Sequence, residues 1–191
     1  MAGGPRHSPE MRMETPDEAL ALAAANGDRE AFAALLARHY DRVLRLAWRL
    51  LGSAAEAEDL TQDLCLALPA KLGGFRGQAR FTTWLHRVVV NAAHDRRRRA
   101  ATRAKAADGW GDWEIARRAA DGAAAEAAEW LHRAMGALPD DLRDTVALVL
   151  GEEMSHREAG EILGVSEGTV SWRMSEVRKH LRKIAAAEGM A

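Results

Sequence analysis

Between Phe81 and Arg103 the polar residues Arg87, Asn91, His94 and Arg98 recur at helical spacing and share one face. An asparagine amide can pair with a base edge and a guanidinium with phosphate or guanine, so this face suits contact with a nucleic acid. A second such face lies near the C-terminus. On a helix opening after Ser166, one side holds Gly168, Trp172, Ser175, Lys179 and Lys183, with Ser171 and Arg178 beside them. Val170, Met174, Val177 and Leu181 fall within roughly 60° of one another at 100° per residue and form that helix's buried stripe. Trp172 lies about 160° from Met174, away from this stripe.

Charge supports the same chemistry. The chain carries a formal net charge of −1, yet the segment from Arg76 to Lys105 has nine Lys/Arg against one acid, Asp95. From Ser171 to Ile184 five Lys/Arg face one acid, Glu176. Two separate basic patches predict two contacts with a polyanion.

Bond-making chemistry finds no such support. No GxSxG, P-loop or HExxH string is present, and catalytic residues are expected to be absent. Cys65 is the single cysteine, so neither an intramolecular disulfide nor a thiolate-rich zinc site can form, and it falls at the edge of a buried stripe. His86 and His94 stand eight apart with no nearby carboxylate or thiolate to complete a site. No metal and no cofactor is expected.

The elements that must position these faces are helices. Alanine, leucine, arginine and glutamate dominate, β-branched residues are sparse, and 48% of residues are hydrophobic against 29% charged, which predicts an all-α protein. Thr15 with Glu18 predicts a capping box for a short first helix, with Pro16 at its first position and Gly27 past its end. Asp28 caps a long helix reaching Gly52. Ser53 with Glu56 opens a third, SAAEAEDLTQDLCLALPAKL, which ends at Gly73 and Gly74 and in which Pro69 should produce a kink or a stop. It buries Leu60, Leu64, Leu68 and Leu72 and turns Asp59, Gln62, Asp63 and Leu66 outward, a stripe suited to a basic partner helix. After the loop FRGQAR a fourth helix runs from about Phe81 to Arg103, with Phe81, Leu85, Val88 and Ala92 inward.

The glycine-containing stretch from Lys105 to Ala123 is a linker by composition. Beyond it, Pro139 begins one helix, Ser155 with Glu158 caps a short one ending at Gly164, and Ser166 caps the next. A short helix, a glycine turn and a second amphipathic helix form a helix-turn-helix, here over 155–183. The chain therefore divides into a disordered tail (1–14), a four-helix domain (15–104), a flexible linker (105–123) and a smaller helical domain (124–187). The opening residues lack an apolar targeting core, and no stretch approaches a membrane span, so neither membrane insertion nor export is expected and a cytoplasmic location is expected.

Three segments, AEDLTQDLCLALPAKL, FRGQARFTTWLHRVVVNAAHDRRRR and ALPDDLRDTVALVLGEEMSHREAGEILGVSEGTVSWRMSEVRKHLRK, resemble the extracytoplasmic-function (ECF, group 4) sigma factors of bacterial RNA polymerase, in the sigma-70 family. The resemblance implies a sigma region 2 bundle, a linker and a region 4 helix-turn-helix. It implies docking of Asp59, Gln62, Asp63 and Leu66 on the clamp coiled coil of the core polymerase β′ subunit, and contact of region 4 with the β flap. It assigns the promoter minus-10 element to Phe75, Arg76, Gly77, Gln78 and Arg80 of the loop and to Asn91 and Asp95, with Arg87 and Arg98 on the adjoining basic face. It assigns the minus-35 element to Ser171, Trp172, Arg173, Ser175 and Arg178, beside Lys179. An anti-sigma factor is a further implied partner. Pro69 and the Ser171–Trp172 pair depart from the family pattern.

The expected function is that of an alternative sigma factor: it binds core polymerase and directs initiation at promoters of a stress- or environment-responsive set of genes. The competing reading is a one-component helix-turn-helix regulator, with residues 124–187 binding DNA and 15–104 sensing.

Overall fold

The computed structural model describes residues 15–106, 130–131 and 133–187. The expected tail and all but the first two residues of the expected linker lie outside them. The elements are helices: α1 (Asp17–Ala25), α2 (Arg29–Leu51), α3 (Ala54–Leu72), α4 (Phe81–Ala106), a helical stretch at residues 130–131 and 133–137, then α5 (Asp140–Val149), α6 (His156–Leu163) and α7 (Glu167–Ala187). Among the described residues there is no strand and no helix long and apolar enough to cross a membrane.

Side-chain capping starts several of these helices where expected. Asp28 accepts from the amides of Glu30 (2.9 Å) and Ala31 (3.0 Å), and Ser53 accepts from that of Glu56 at 3.3 Å. Helix α1 differs from expectation. It starts at Asp17 with Pro16 as an N-cap that makes no side-chain bond. Glu18 instead accepts from the amide of Phe81 at 2.9 Å, so α1 satisfies an orphan donor at the start of α4. The stop allowed for at Pro69 does not occur, because α3 continues past it to Leu72. The proline ring is exposed in the last turn, where a lost hydrogen bond is close to the carbonyls that remain open at any helix end.

Leu35, Leu46 and Leu50 of α2, Leu60, Leu64, Leu68 and Leu72 of α3, and Phe81, Leu85 and Val89 of α4 are buried together beneath Leu20 and Ala21 of α1. Asp17 ties α1 to α2 through Arg38 and His39, both at 2.7 Å. Burial alone would raise the Asp17 carboxyl, but hydrogen bonds and charge from these two partners hold it below the usual range.

The same core continues into the second half through Ala147 and Leu148 of α5, Ala159 and Ile162 of α6 and Val170 of α7. A smaller cluster of Leu138, Leu142, Val146, Met174 and Val177 holds α5 to α7. Arg143 closes the end of the preceding helical stretch by donating to the carbonyls of Met135, Gly136 and Leu138 at 3.0–3.1 Å. The sequence implied two helical units joined by a linker; in the structure their described helices share a packed seam.

Candidate nucleic-acid interface

Backbone geometry builds the second-half face. Ser155 and Glu158 form the expected capping box, with Ser155 N donating to Glu158 Oε2 at 3.0 Å and Glu158 N to Ser155 Oγ at 3.3 Å. Gly164 ends α6 at φ +69°, a left-handed conformation that a side chain would strain. Ser166 accepts from the amide of Thr169 at 3.1 Å and starts α7. One residue escaped the sequence reading: Gly160 is buried, and a Cβ there would lie 2.7 Å from the Val165 carbonyl oxygen. Its bare Cα lets the turn close over α6. A glycine four residues ahead of the turn glycine was the available signal.

On α7, Val170, Met174 and Val177 are buried and Leu181 packs half-buried against them. Ser171, Trp172, Arg178 and Lys179 are exposed, Trp172 at 59%. His156 of α6 hydrogen-bonds Ser171 Oγ through Nδ1 at 2.8 Å, which links the two helices at the edge of this face. Ser175 is half-buried. Arg173 is placed differently from the rest: its side chain is 17% exposed and its Nε lies 3.4 Å from Asp141 Oδ2, an ion pair to α5 whose geometry falls short of a hydrogen bond. The helical rotation carries it round toward α5.

The first-half face is assembled from the loop before α4 and from α4 itself. Arg76, Gln78 and Arg80 are exposed, and Gly77 makes the bend at φ +68°. Phe75 is not at the loop surface. It is 5% exposed and packs edge-on against Phe81 and Trp84, with ring centroids 5.8 and 5.6 Å away, so it anchors the loop in the core. Asn91 and Arg98 are exposed, and Asp95 pairs with Arg98 one turn on. Arg87 is exposed, yet it donates to the Glu161 carbonyl of α6 at 2.7 Å.

Helix α4 carries a stripe that the sequence reading did not isolate. His86, Val90, Ala93 and Arg97 recur at spacings of four, three and four, rotated about 140° from Phe81 and Leu85. Val90 and Ala93 are fully buried, and the stripe's polar members meet carboxylates of the second half. His86 pairs with Glu152 at 3.1 Å, and His94, beside the stripe, pairs with Asp144 at 2.6 Å. The two histidines thus each have a carboxylate that only the tertiary fold supplies. Among the described residues no group of three such side chains could hold a metal ion.

On α3 the outward stripe is present as read. Leu66 is 83% exposed, Gln62 is exposed, and Asp59 and Asp63 face Arg96 of α4 at 2.9 and 3.5 Å. Both aspartates remain largely solvated, so these pairs hold the stripe in place weakly. Cys65 lies half-buried beside Leu64 and Tyr40, where burial pushes its thiol up and leaves it a weak nucleophile.

Residues 35–103 match the family model for sigma-70 region 2, and residues 134–183 match that for sigma-70 region 4. The chain is 36% identical over 173 residues to the ECF RNA polymerase sigma factor SigM of Mycobacterium tuberculosis, covering 91% of this chain and 86% of that protein. It is 32% identical to the ECF RNA polymerase sigma factor SigW of Bacillus subtilis, over 82% and 90% of the two chains. Among solved structures it resembles CnrH in complex with the cytosolic domain of CnrY, with a TM-score of 0.66 and 28% identity over 90% of this chain and 97% of that one. It also shares its fold with the sigma factor RpoE in complex with the anti-sigma factor NepR from Bartonella quintana, with a TM-score of 0.71 and 23% identity over 81% and 96%.

Proposed function

Because the chain belongs to the ECF sigma factors of the sigma-70 family, we propose that it is an alternative sigma factor that binds core RNA polymerase and directs promoter recognition and initiation. The observation that carries this reading is the order of the two matches along one chain, region 2 and then region 4. A one-component regulator needs only the second. Polymerase supplies the chemistry, so the protein itself requires only binding surfaces.

In this reading residues 15–104 form the region 2 domain and 124–187 the region 4 domain, joined through 105–123. The exposed face of α7 reads the minus-35 duplex with Ser171, Trp172 and Arg178, and Lys179 meets the phosphates. The loop Arg76–Arg80 and Asn91 hold unstacked bases of the minus-10 element beside Arg98. Unpairing these bases costs a few kcal/mol, which stacking and a basic surface can offset. Asp59, Gln62, Asp63 and Leu66 meet the β′ clamp coiled coil, because a solvated acidic stripe around one bare leucine suits a basic helical partner. An anti-sigma factor that covers these faces is the regulator, the setting is the cytoplasm, and the genes served respond to stress or environment.

Run-off transcription with core polymerase, paired with binding to a duplex and to a fork with a single-stranded minus-10 region, tests this reading. Promoter-directed transcripts and core-dependent fork binding are expected. Strong duplex binding that core enzyme leaves unchanged would instead establish the one-component regulator. Asp63→Arg should abolish core binding with the fold intact, and unchanged affinity would remove the acidic stripe from the interface.

A further inference from the structure

The seam between the two halves is held by carboxylates of one half and cations of the other. Glu152, in the turn after α5, has a side chain only 4% exposed, and it receives Arg49 at 2.8 Å, Arg42 at 3.1 Å and His86 at 3.1 Å. Asp144 of α5, equally buried, receives Arg97 at 2.8 Å and His94 at 2.6 Å, while Arg97 also reaches Asp140 at 3.4 Å. These partners all lie on α2 and α4. Arg143 adds a 3.5 Å bond to the Leu50 carbonyl, and Arg87 donates to α6. Gly151 fits the seam tightly: a Cβ there would lie 2.8 Å from Arg49 Cδ.

This arrangement is asymmetric in what it covers. Opened, the second half would expose two carboxylates to water. The first half would free Arg42, Arg49 and Arg97 along α2 and α4, beside the already exposed Arg87, a row of guanidiniums of the kind that binds phosphates. Opening would return carboxylates and guanidiniums alike to water, and this solvation offsets part of the pairing energy that holds the seam closed. We propose that the seam is a self-masking contact in which Asp144 and Glu152 take the place of nucleic-acid phosphates on Arg42, Arg49 and Arg97, so that opening creates a duplex-phosphate-binding surface on α2 and α4. The proposal rests on the sigma-factor reading. In that reading opening is required, because elements about 25 base pairs apart lie about 85 Å apart along a duplex, while here the two halves touch.

The test uses the full chain. Fluorophores on Glu58→Cys and Arg182→Cys, in a Cys65→Ser background, report the distance between halves by energy transfer. Binding of a random-sequence duplex is then measured against salt, without polymerase. Asp144→Asn with Glu152→Gln should lower energy transfer and steepen the salt dependence by about 0.9 in the log–log slope for each phosphate gained. Three added contacts correspond to roughly a further 40-fold loss of affinity between 50 and 200 mM salt.

Glu153→Gln with Glu161→Gln removes the same charge from exposed positions of the second half. It should leave energy transfer unchanged and the slope close to the wild type. Arg49→Gln with Arg97→Gln opens the seam from the other side, lowering energy transfer with a clearly smaller steepening, since of the three paired arginines only Arg42 remains. Unchanged energy transfer in both seam variants, or a slope in the carboxylate variant no steeper than in the charge control, would overturn the proposal. A slope in the arginine variant as steep as in the carboxylate variant would overturn it as well, since the phosphates would then be held elsewhere. Because no polymerase is present, failure here is distinct from failure of the sigma reading, which run-off transcription decides.

Discussion

The two basic faces of the molecule have similar compositions and opposite states. On α7 the aromatic and most of the cationic surface face solvent: Trp172 is 59% exposed, Arg178 is exposed, and Lys179 is exposed while pairing with Glu176 of its own helix at 2.7 Å. On the α4 side the aromatic expected at the surface, Phe75, is in the core, and Arg87, Arg96 and Arg97 are engaged by other parts of the same chain. Charge counts therefore locate a basic face without saying whether its cations are available. One face is open to solvent and geometrically ready, while much of the other is already occupied by contacts of the same chain.

The largest effect that would sharpen this contrast comes from the two aromatics. Phe75→Ala should destabilise the first half by about 3–5 kcal/mol, the usual cost of emptying a buried phenylalanine site. Thermal or denaturant unfolding measures it. A change below about 0.5 kcal/mol, the range for a surface position, would return Phe75 to the base-capturing role that its loop suggested.

Gly160→Ala comes next, and it tests whether the α7 face depends on the closure of its turn. The added methyl meets the Val165 carbonyl at 2.7 Å, which backbone must relieve. Overpacking of this kind costs about 1–3 kcal/mol. Hydrogen exchange should accelerate in α6 and α7 while α1–α3 amides are unaffected, and uniform protection throughout would show that the turn has room.

How much of this was legible beforehand differs between the faces for a physical reason. The α6–α7 unit is specified by neighbours in sequence: Ser155 with Glu158, Gly164, and Ser166 with Thr169 each act within four residues. Local pattern therefore revealed it. The seam joins residues 43 to 110 positions apart, from Arg97 with Asp140 to Arg42 with Glu152. Only the 86–90–93–97 stripe on α4 hinted at a second buried side, and its histidine and arginine disguised it as solvated surface. Glu18 was misassigned for the same reason: its partner, the amide of Phe81, is 63 residues away.

Acid should then break the contrast by releasing the occupied face. Burial alone would raise the Glu152 carboxyl, but hydrogen bonding and charge from His86, with the charges of Arg42 and Arg49, together hold it below the usual glutamate range. A group depressed in the folded state contributes stability that is full above its unfolded value and is lost as pH falls through the folded one. The distance between halves should therefore hold constant down to the ordinary carboxylate range and increase only below it, as energy transfer would record. Release at higher pH would mean that Glu152 is not a principal clasp.

The smallest effects separate residues within the α7 face itself. Trp172→Ala should leave stability within about 0.5 kcal/mol, as for other exposed positions, and weaken minus-35 duplex binding by about 1–3 kcal/mol if the ring contacts base edges. Arg173→Ala should do the reverse. Its pair with Asp141 is part-solvated, so its removal costs about 0.2–1 kcal/mol of stability. Sequence preference at the minus-35 element should not change, because the guanidinium is turned toward α5 and not toward the groove. A changed base preference for Arg173→Ala, read by selection from a randomised duplex pool, would show that binding pulls this arginine off Asp141 and that the ready face, too, is partly assembled by its ligand.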